Sequence, residues 1–136
     1  MKALDALFIH PNAAHRVYQE LSADFSAIEP PIWAGMLAAH CRTRNYSVDI
    51  LDCEALRLTD ADAVSRIKQA APRLACFVVY GQQPSASSQN MEGSVALADL
   101  LKAACPDIQI LFVGGHIAAL SREVLENHSS IDFVCQ

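Results

Sequence analysis

The sequence has few charged residues and no cluster of positive charge. Of its 136 residues 18% are charged, and ten Lys and Arg stand against fifteen Asp and Glu, a formal net charge of −5. Proteins that bind nucleic acid gather Lys and Arg into a patch that follows the phosphates. No stretch of this sequence forms such a patch, so we expect no nucleic-acid partner.

The sequence also lacks a long apolar run. A helix needs about 20 consecutive apolar residues to cross a bilayer, and no run approaches that length. Asp5 stands where a secretory signal peptide would continue its apolar core. We therefore expect a cytoplasmic protein that makes no contact with a membrane.

The cysteines lack the Cys-x-x-Cys spacing that is typical of zinc and redox sites. Cys76 and Cys135 lie in apolar runs, and Cys105 follows an alanine-rich stretch. Reduced thiols in such settings are usually buried and behave as small apolar side chains. We expect all five cysteines to be structural: Cys41, Cys53, Cys76, Cys105 and Cys135.

Apolar residues are plentiful, at 52% of the chain. A chain of this length can bury about two-thirds of its unfolded surface in one core, with a radius of gyration of about 14 Å. The length leaves no room for a second domain. We expect one ordered domain over residues 1–136, not a two-domain enzyme.

Five short apolar runs alternate with longer stretches of helical period. Short runs rich in Val, Ile, Leu and Phe are typical of parallel strands buried on both faces. They predict strands at residues 4–9, 48–51, 74–80, 108–113 and 131–134.

Two helices are predicted before the third strand. The first follows Pro30-Pro31 and carries one apolar stripe of Ile32, Trp33, Met36, Leu37 and His40. The second begins at the N-cap Thr59 and ends before Pro72. Its inward face is predicted to hold Val64, Ile67 and Ala71.

Two more helices are predicted after the third strand. One runs from the low nineties to Ala104, with Asp99 and Lys102 facing solvent, and should be the most buried of the four. Ser121 is predicted to cap a short helix over residues 122–127.

This alternation predicts an α/β fold with an open, doubly wound sheet of five parallel strands. The sheet is Rossmann-like or flavodoxin-like, with right-handed crossovers and helices on both faces. Such sheets bind ligands beyond the carboxyl ends of their strands, where the strand order reverses. We therefore expect the functional residues in the loops after the first, third and fourth strands.

Familiar motifs of such sheets are missing from these loops. There is no Gly-x-Gly-x-x-Gly, no Gly-x-x-x-x-Gly-Lys-Ser and no Gly-x-Ser-x-Gly. A phospho-receiver domain would carry an acidic pair after the first strand and an aspartate ending the third, where this sequence has His10 and Tyr80. These absences weaken dinucleotide, nucleoside triphosphate, hydrolase and receiver functions.

The loop after the third strand is the most polar stretch of the chain, with amides and hydroxyls over residues 80–90. Neutral donors and acceptors suit a ligand that bears amides or carbonyls, although a solvated turn capping the next helix is the alternative. Gly114-Gly115-His116 after the fourth strand allows close approach of a bulky group, or is simply a tight turn.

Two histidines are expected at the carboxyl edge of the sheet. His10 and His116 could each ligate a metal through a neutral ring nitrogen, although a hydrogen bond to the backbone is the more common use. His40 and His128 are expected on helix surfaces. The connection from His10 to the first helix is unusually long, and we expect an ordered flap there, with Tyr18, Leu21, Phe25 and Ile28 over the crevice.

Four segments of the sequence are informative when they are taken together, in their order along the chain. They are His10-Pro11-Asn12, the run from Pro30-Pro31-Ile32-Trp33 to residue 39, the strand at residues 48–52, and Val113-Gly114-Gly115-His116 with Leu125 and residues 131–134 behind it. Together they resemble the cobalamin-binding domain that precedes the catalytic barrel of cobalamin-dependent radical S-adenosylmethionine (SAM) enzymes.

The resemblance implies that residues 1–136 bind cobalamin, with the corrin ring across the carboxyl edge and the nucleotide tail beside the sheet. Gly114 and Gly115 would admit the tail, and Tyr18 would cover the ring. The other cofactor contacts implied are His10, Pro11, Asn12, Tyr80, Gly81, Gln82, Gln83, Ser85, Ser87 and His116.

The resemblance also implies a longer parent enzyme, in which a Gly-Glu-Gly-Glu stretch and a barrel with a Cys-x-x-x-Cys-x-x-Cys motif follow this domain. That barrel would bind SAM and a 4Fe-4S cluster, and cobalamin would relay a methyl group from SAM to a substrate radical. No catalytic residue is then expected in this chain, which would partner the barrel.

One departure concerns the cobalt. Many cobalamin domains of the mutase and methionine synthase type carry Asp-x-His-x-x-Gly, whose histidine ligates the metal, and this sequence has no such motif. The cobalt would then have no protein imidazole or an atypical ligand. The alternative function is a non-catalytic module that binds another small molecule, a nucleotide-sugar or a partner protein, since the fold alone does not determine function.

Overall fold

The computed structural model describes residues 4–12, 28–81 and 84–136. These residues form five strands and five helices in an alternating order. The elements are β1 (Ala6–His10), α1 (Ile32–Arg42), β2 (Val48–Asp52), α2 (Asp60–Ala70), β3 (Leu74–Val78), α3 (Pro84–Ala104), β4 (Gln109–Val113), α4 (Gly115–Ala119), α5 (Ser121–Asn127) and β5 (Phe133–Cys135).

The five strands form one sheet in the order β2-β1-β3-β4-β5, and every neighbouring pair is parallel. The predicted fold class is therefore confirmed, with strand ends within two residues of their predicted positions. The chain moves from β1 to β2 on one side and returns to β3 on the other. The strand order thus reverses between β1 and β3.

One face of the sheet carries the larger core. Side chains alternate between the two faces, and those of this face pack against α2, α3, α4 and α5. Phe77 of β3 and Phe112 of β4 are fully buried and stack with ring centroids 4.9 Å apart. Ile67 of α2 and Leu101 of α3 close over them.

The other face is packed by α1, which presents Ala34 and Ala38 to Phe8 and Val78. Of the apolar stripe predicted on α1, Leu37 packs against this core. Ile32, Trp33 and Met36 are instead 62%, 47% and 59% exposed. The alanines let the helix lie close to the sheet, and these three larger residues lie on its outer side.

The cap of α2 is as predicted, but its last turn is not. Thr59 accepts a hydrogen bond from the backbone N–H of Asp62 at 3.2 Å, and Ile67 is buried. Ala71 is exposed, with a left-handed φ of 45°, because it ends the helix and does not face the core. Pro72 follows it, as predicted.

α3 begins well before the predicted start. The polar stretch after β3 is helical from Pro84 onward, with Ser87 buried and hydrogen-bonded to the carbonyl of Val79 while Ser85, Ser88 and Gln89 are exposed. The predicted solvent exposure of Lys102 is also wrong. Its Nζ lies 2.8 Å from Asp132 and donates to the carbonyl of Ile108, which joins α3 to the segment before β5.

The last helices and the cysteines also differ from prediction. Ser121 is the first residue of α5, whose N-cap is Leu120, and the short α4 before it was not predicted. Cys135 is exposed, whereas Cys53 and Cys76 are buried. Burial is the main cause that raises the pKa of both buried thiols to about 12.

None of the helices in the described part of the chain is long and apolar enough to cross a membrane.

Candidate functional site

A cavity of about 330 Å³ opens where the strand order reverses. It is lined by His10 at the end of β1, by Val78 at the end of β3 and Tyr80 just after it, and by Trp33 and Met36 of α1. The crevice at the carboxyl edge is thus where the topology predicts it. Its volume is near the lower end for small-molecule sites, which run from about 300 Å³ upward.

The wall of the cavity contains a pair of stacked aromatic rings. The centroids of Trp33 and Tyr80 are 4.6 Å apart, and the ring planes differ by 20°. The backbone carbonyl of Tyr80 accepts a hydrogen bond from Asn90 of α3 at 3.3 Å, which holds this end of β3. Tyr80 was predicted as a contact, whereas Trp33 was missed. The only signal in the sequence was a tryptophan just after Pro30-Pro31, at the start of a helix.

His10 is held by a glutamate from the turn after β2. Its Nε2 lies 3.2 Å from Oε2 of Glu54, and the two side chains are only 13% and 18% exposed. The N–H of Cys53 donates to the carbonyl of His10, and Asn12 donates to that of Leu58 at 3.4 Å. Pro11 between them is buried. The predicted segment His10-Pro11-Asn12 is therefore fixed to this turn, but Glu54 was missed.

Ser87 and Gly114 fix the ends of β3 and β4. The buried hydroxyl of Ser87 donates to the carbonyl of Val79 at 2.6 Å and accepts from the N–H of His116 at 3.0 Å. A Cβ atom on Gly114 would lie 2.1 Å from the same carbonyl oxygen, so only glycine allows this close approach. The structure thus gives both predicted residues a role within the fold itself.

The rim beyond β4 is more open. Gly115 is exposed, and a Cβ atom there would meet only Ser87, at 3.9 Å. Nδ1 of His116 lies 2.8 Å from Oγ of Ser88, an exposed partner that the predicted set missed. The predicted Ser85 is also exposed, in the first turn of α3.

Gly81 lies between β3 and α3. A Cβ atom there would lie 2.3 Å from Cβ of Ala86, so this position requires glycine. Three predicted contacts, Tyr18, Gln82 and Gln83, lie outside the described residues. The same holds for the predicted flap around Tyr18 up to residue 27.

Metal ligation by His10 or His116 remains a prediction. Within residues 4–12, 28–81 and 84–136, no group of three or more His, Cys, Asp or Glu side chains could hold a metal ion.

The chemistry of the cavity suits a flat and mostly uncharged group. The stacked Trp33 and Tyr80 rings, the prolines before α1 and Met36 offer apolar surface, on which a planar heterocycle can stack. Cobalamin carries such a heterocycle at the end of its nucleotide tail.

The comparison with protein families assigns the chain. Residues 21–136 match the B12 binding domain family, which is most of the chain. A search of curated proteins returned no match to this sequence. Because the matched region contains α1 and the end of β3, it covers most of the cavity described above. The chain belongs to the B12 binding domain family, and it is a cobalamin-binding domain.

Proposed function

We propose that this domain holds cobalamin for methyl transfer in a radical SAM enzyme. The nucleotide tail would enter the cavity beside α1, which Gly114 and Gly115 do not line, so this seating differs from the entry past the two glycines that the resemblance implies. The corrin ring would lie over the ends of β1, β3 and β4. The observation that carries the proposal is the apolar cavity at the carboxyl edge of the sheet, most of whose lining lies within the matched B12 binding domain region.

Bound cobalamin would supply a cobalt atom that accepts and passes on a methyl group, and a cobalt without an imidazole ligand is more easily reduced for that role. The residues of the chain bind and orient the cofactor. Trp33 and Tyr80 would stack on the tail, and Met36 would exclude water from it. Gly115 leaves the rim free of side-chain bulk.

The proposed partner is a radical SAM barrel with SAM and a 4Fe-4S cluster, in the same parent chain. The domain would present cobalamin to that barrel, which would generate the substrate radical. No residue described here is assigned a catalytic role, and the chain alone is expected to show no turnover.

Cobalamin binding can be measured with the domain itself. Trp33 is the only tryptophan in the sequence, so its fluorescence reports directly on the cavity. We expect titration with hydroxocobalamin or methylcobalamin to quench this fluorescence saturably, and calorimetry to give the same affinity. Gly115→Trp should obstruct the rim, whereas Gly115→Ala has room for its methyl group and is the matched control. The added tryptophan requires calorimetry for that variant.

The presence or absence of a protein nitrogen ligand on the cobalt distinguishes a mutase from the proposed enzyme. The electron paramagnetic resonance spectrum of bound Co(II) cobalamin should show no splitting from a protein nitrogen. Protein grown with isotopically labelled histidine would change the spectrum if an imidazole were a ligand. Such a change would contradict the proposal.

The proposed radical SAM partner is tested with the gene sequence and with the full protein. The reading frame that encodes residues 1–136 should continue into a Cys-x-x-x-Cys-x-x-Cys motif. The full protein, loaded with cobalamin and reduced without oxygen, should transfer a labelled methyl group from SAM. A full protein that binds cobalamin but neither cleaves SAM nor takes its methyl group would contradict this part of the proposal.

A further inference from the structure

His10 is a polar residue in a largely apolar cavity. Most described residues that line the cavity are apolar, and His10, Glu29, Trp33 and Tyr80 are those with polar side-chain atoms. Of these, His10 is bonded to a partner outside the lining, Glu54, across 44 residues of sequence. A histidine fixed in this way has one ring nitrogen engaged and the other still to be used.

The partner determines which nitrogen carries the hydrogen. An ionised carboxylate oxygen only accepts hydrogen bonds, so Nε2 of His10 must donate to Glu54. In the neutral ring, Nδ1 is then the acceptor, with a free lone pair. Glu54 itself lies in a turn that is tied back to β1 and β2, since Cys53 donates to the carbonyl of His10 and Leu56 to that of Asp52.

Nδ1 of His10 has no hydrogen-bond partner within the described part of the chain. The His10 side chain is 13% exposed and lines the cavity. Nδ1 is therefore the ring nitrogen that is left for a ligand in the cavity.

We propose that Nδ1 of His10 accepts a hydrogen bond from cobalamin, and that Glu54 is a positioning residue that fixes the tautomer needed for it. The donor on the cofactor is a hydroxyl or an amide N–H. This inference rests on the proposed seating of the nucleotide tail in the cavity, and it gives His10 a role other than cobalt ligation.

Two parts of cobalamin carry such donors. The ribose hydroxyl belongs to the nucleotide tail, whereas the side-chain amides belong to the corrin ring. Cobinamide keeps the amides but lacks the nucleotide, so a comparison of the two ligands identifies the source. A contribution of His10 to cobalamin affinity only would indicate the ribose, and a contribution to both affinities would indicate an amide.

Two substitutions of His10 separate its two nitrogens. His10→Gln places an amide N–H near the position of Nε2, so it can keep the contact to Glu54 but offers no acceptor at Nδ1. His10→Asn places its amide oxygen near Nδ1 but does not reach Glu54. We expect His10→Gln to bind cobalamin about tenfold more weakly, which corresponds to about 1.4 kcal/mol, and His10→Asn to lose less affinity.

Glu54→Gln tests the positioning role. Long-range NMR correlations of labelled histidine should show the Nε2–H tautomer of His10 in the unmodified domain and a mixture of tautomers in Glu54→Gln, with a moderate loss of affinity. His10→Gln identifies the His10 signals. A purely structural role of Glu54 would leave the tautomer unchanged, and that result would overturn the positioning role.

The outcomes also separate this inference from the proposed function. If cobalamin binds more tightly than cobinamide and His10→Gln leaves both affinities unchanged, the role of His10 is overturned while the seating of the tail stands. Equal binding of cobalamin and cobinamide to the unmodified domain would contradict the seating, and the inference with it. A nitrogen splitting from His10 on Co(II) would also overturn it, because the lone pair would then bind the metal. If His10→Gln does not fold, His10→Asn and Glu54→Gln still decide the matter.

Discussion

The two faces of the sheet use the same strands but are closed in different ways. Eighteen buried residues form the core on the face that packs against α2 to α5, whereas eight form the core under α1. On the larger side the gaps are filled by Phe77, Phe112 and other bulky residues. On the smaller side Ala34 and Ala38 make the contact, and Phe133 of β5 is half exposed.

The two faces therefore contribute differently, one mainly to stability and the other mainly to binding. The larger face buries most of the apolar surface, so it supplies most of the hydrophobic stabilisation. On the smaller face, two large side chains of α1, Trp33 and Met36, line the cavity at the carboxyl edge. Substitutions on the first face should therefore change the free energy of unfolding, and those near the cavity should change the affinity for cobalamin.

The largest effect is expected for Phe112→Ala. Removal of a fully buried ring leaves a cavity, and such substitutions cost about 3–5 kcal/mol of unfolding free energy. Phe133→Ala is the matched control on the same sheet, because its side chain is 51% exposed and its loss should cost within about 1 kcal/mol. Urea unfolding measures both. Equal losses for the two variants would contradict the assignment of stability to the larger face.

Gly114→Ala should have the next largest effect. The added methyl group would be forced against the carbonyl oxygen of Val79, and overpacking of this kind costs about 1–3 kcal/mol. Gly115→Ala, one residue further on, meets nothing closer than 3.9 Å and should leave stability nearly unchanged. Thermal unfolding of the pair measures the difference, and a stable Gly114→Ala protein would show that the strand ends can move apart.

Trp33→Ala should affect binding more than folding. The indole is half exposed, so its loss should cost little stability beyond the stack with Tyr80, about 0.5–1.5 kcal/mol. We expect about a tenfold loss of cobalamin affinity, equivalent to about 1.4 kcal/mol. Visible absorbance of the cofactor measures it, since the fluorescence is gone. Tyr46→Ala is an exposed aromatic control, and an equal effect there would indicate a non-specific cause.

The smallest effect at neutral pH concerns one buried thiol on each face, Cys53 on the larger and Cys76 on the smaller. Burial raises both pKa values from 9.0 to about 12. The unfolded chain therefore loses these protons above pH 9 while the folded chain keeps them, so stability should fall as the pH rises from 9 towards 12. Cys53→Ala and Cys76→Ala should each make this fall less steep than in the unmodified protein.

Thiol reactivity checks the burial of the same two thiols. Cys135 is exposed and should react with a thiol reagent in the folded protein, whereas Cys53 and Cys76 should react only after denaturation. Fast labelling of Cys76 in the folded state would show that the smaller face opens readily.

Much of the fold was predictable because short apolar runs determine the strands of a buried parallel sheet. The same reasoning located the crevice, since doubly wound sheets bind ligands beyond the carboxyl ends of their strands, where the strand order reverses. The prediction failed at the start of α3. The polar stretch at the sheet edge is helical there, with one of its serines hydrogen-bonded towards the protein interior. The prediction also failed for α1, because periodicity identifies an apolar stripe but not which way the stripe faces.

The site was predictable only in part. The positions of strand-end residues such as His10 and Tyr80 follow from the sheet topology. The four sequence segments, in their order along the chain, correctly indicated cobalamin. Glu54 and Trp33 were missed because their contacts join distant parts of the chain, which no local pattern reveals. The radical SAM partner stays a prediction.

The hydroxyl group of Ser87 has a consequence for how the cofactor binds. Ser87 joins the end of β3, the first turn of α3 and the backbone of His116 through two short hydrogen bonds. These three elements are therefore braced against one another before any ligand arrives. Cobalamin would meet a rim of fixed shape on this side, and none of its binding free energy would be needed to order it.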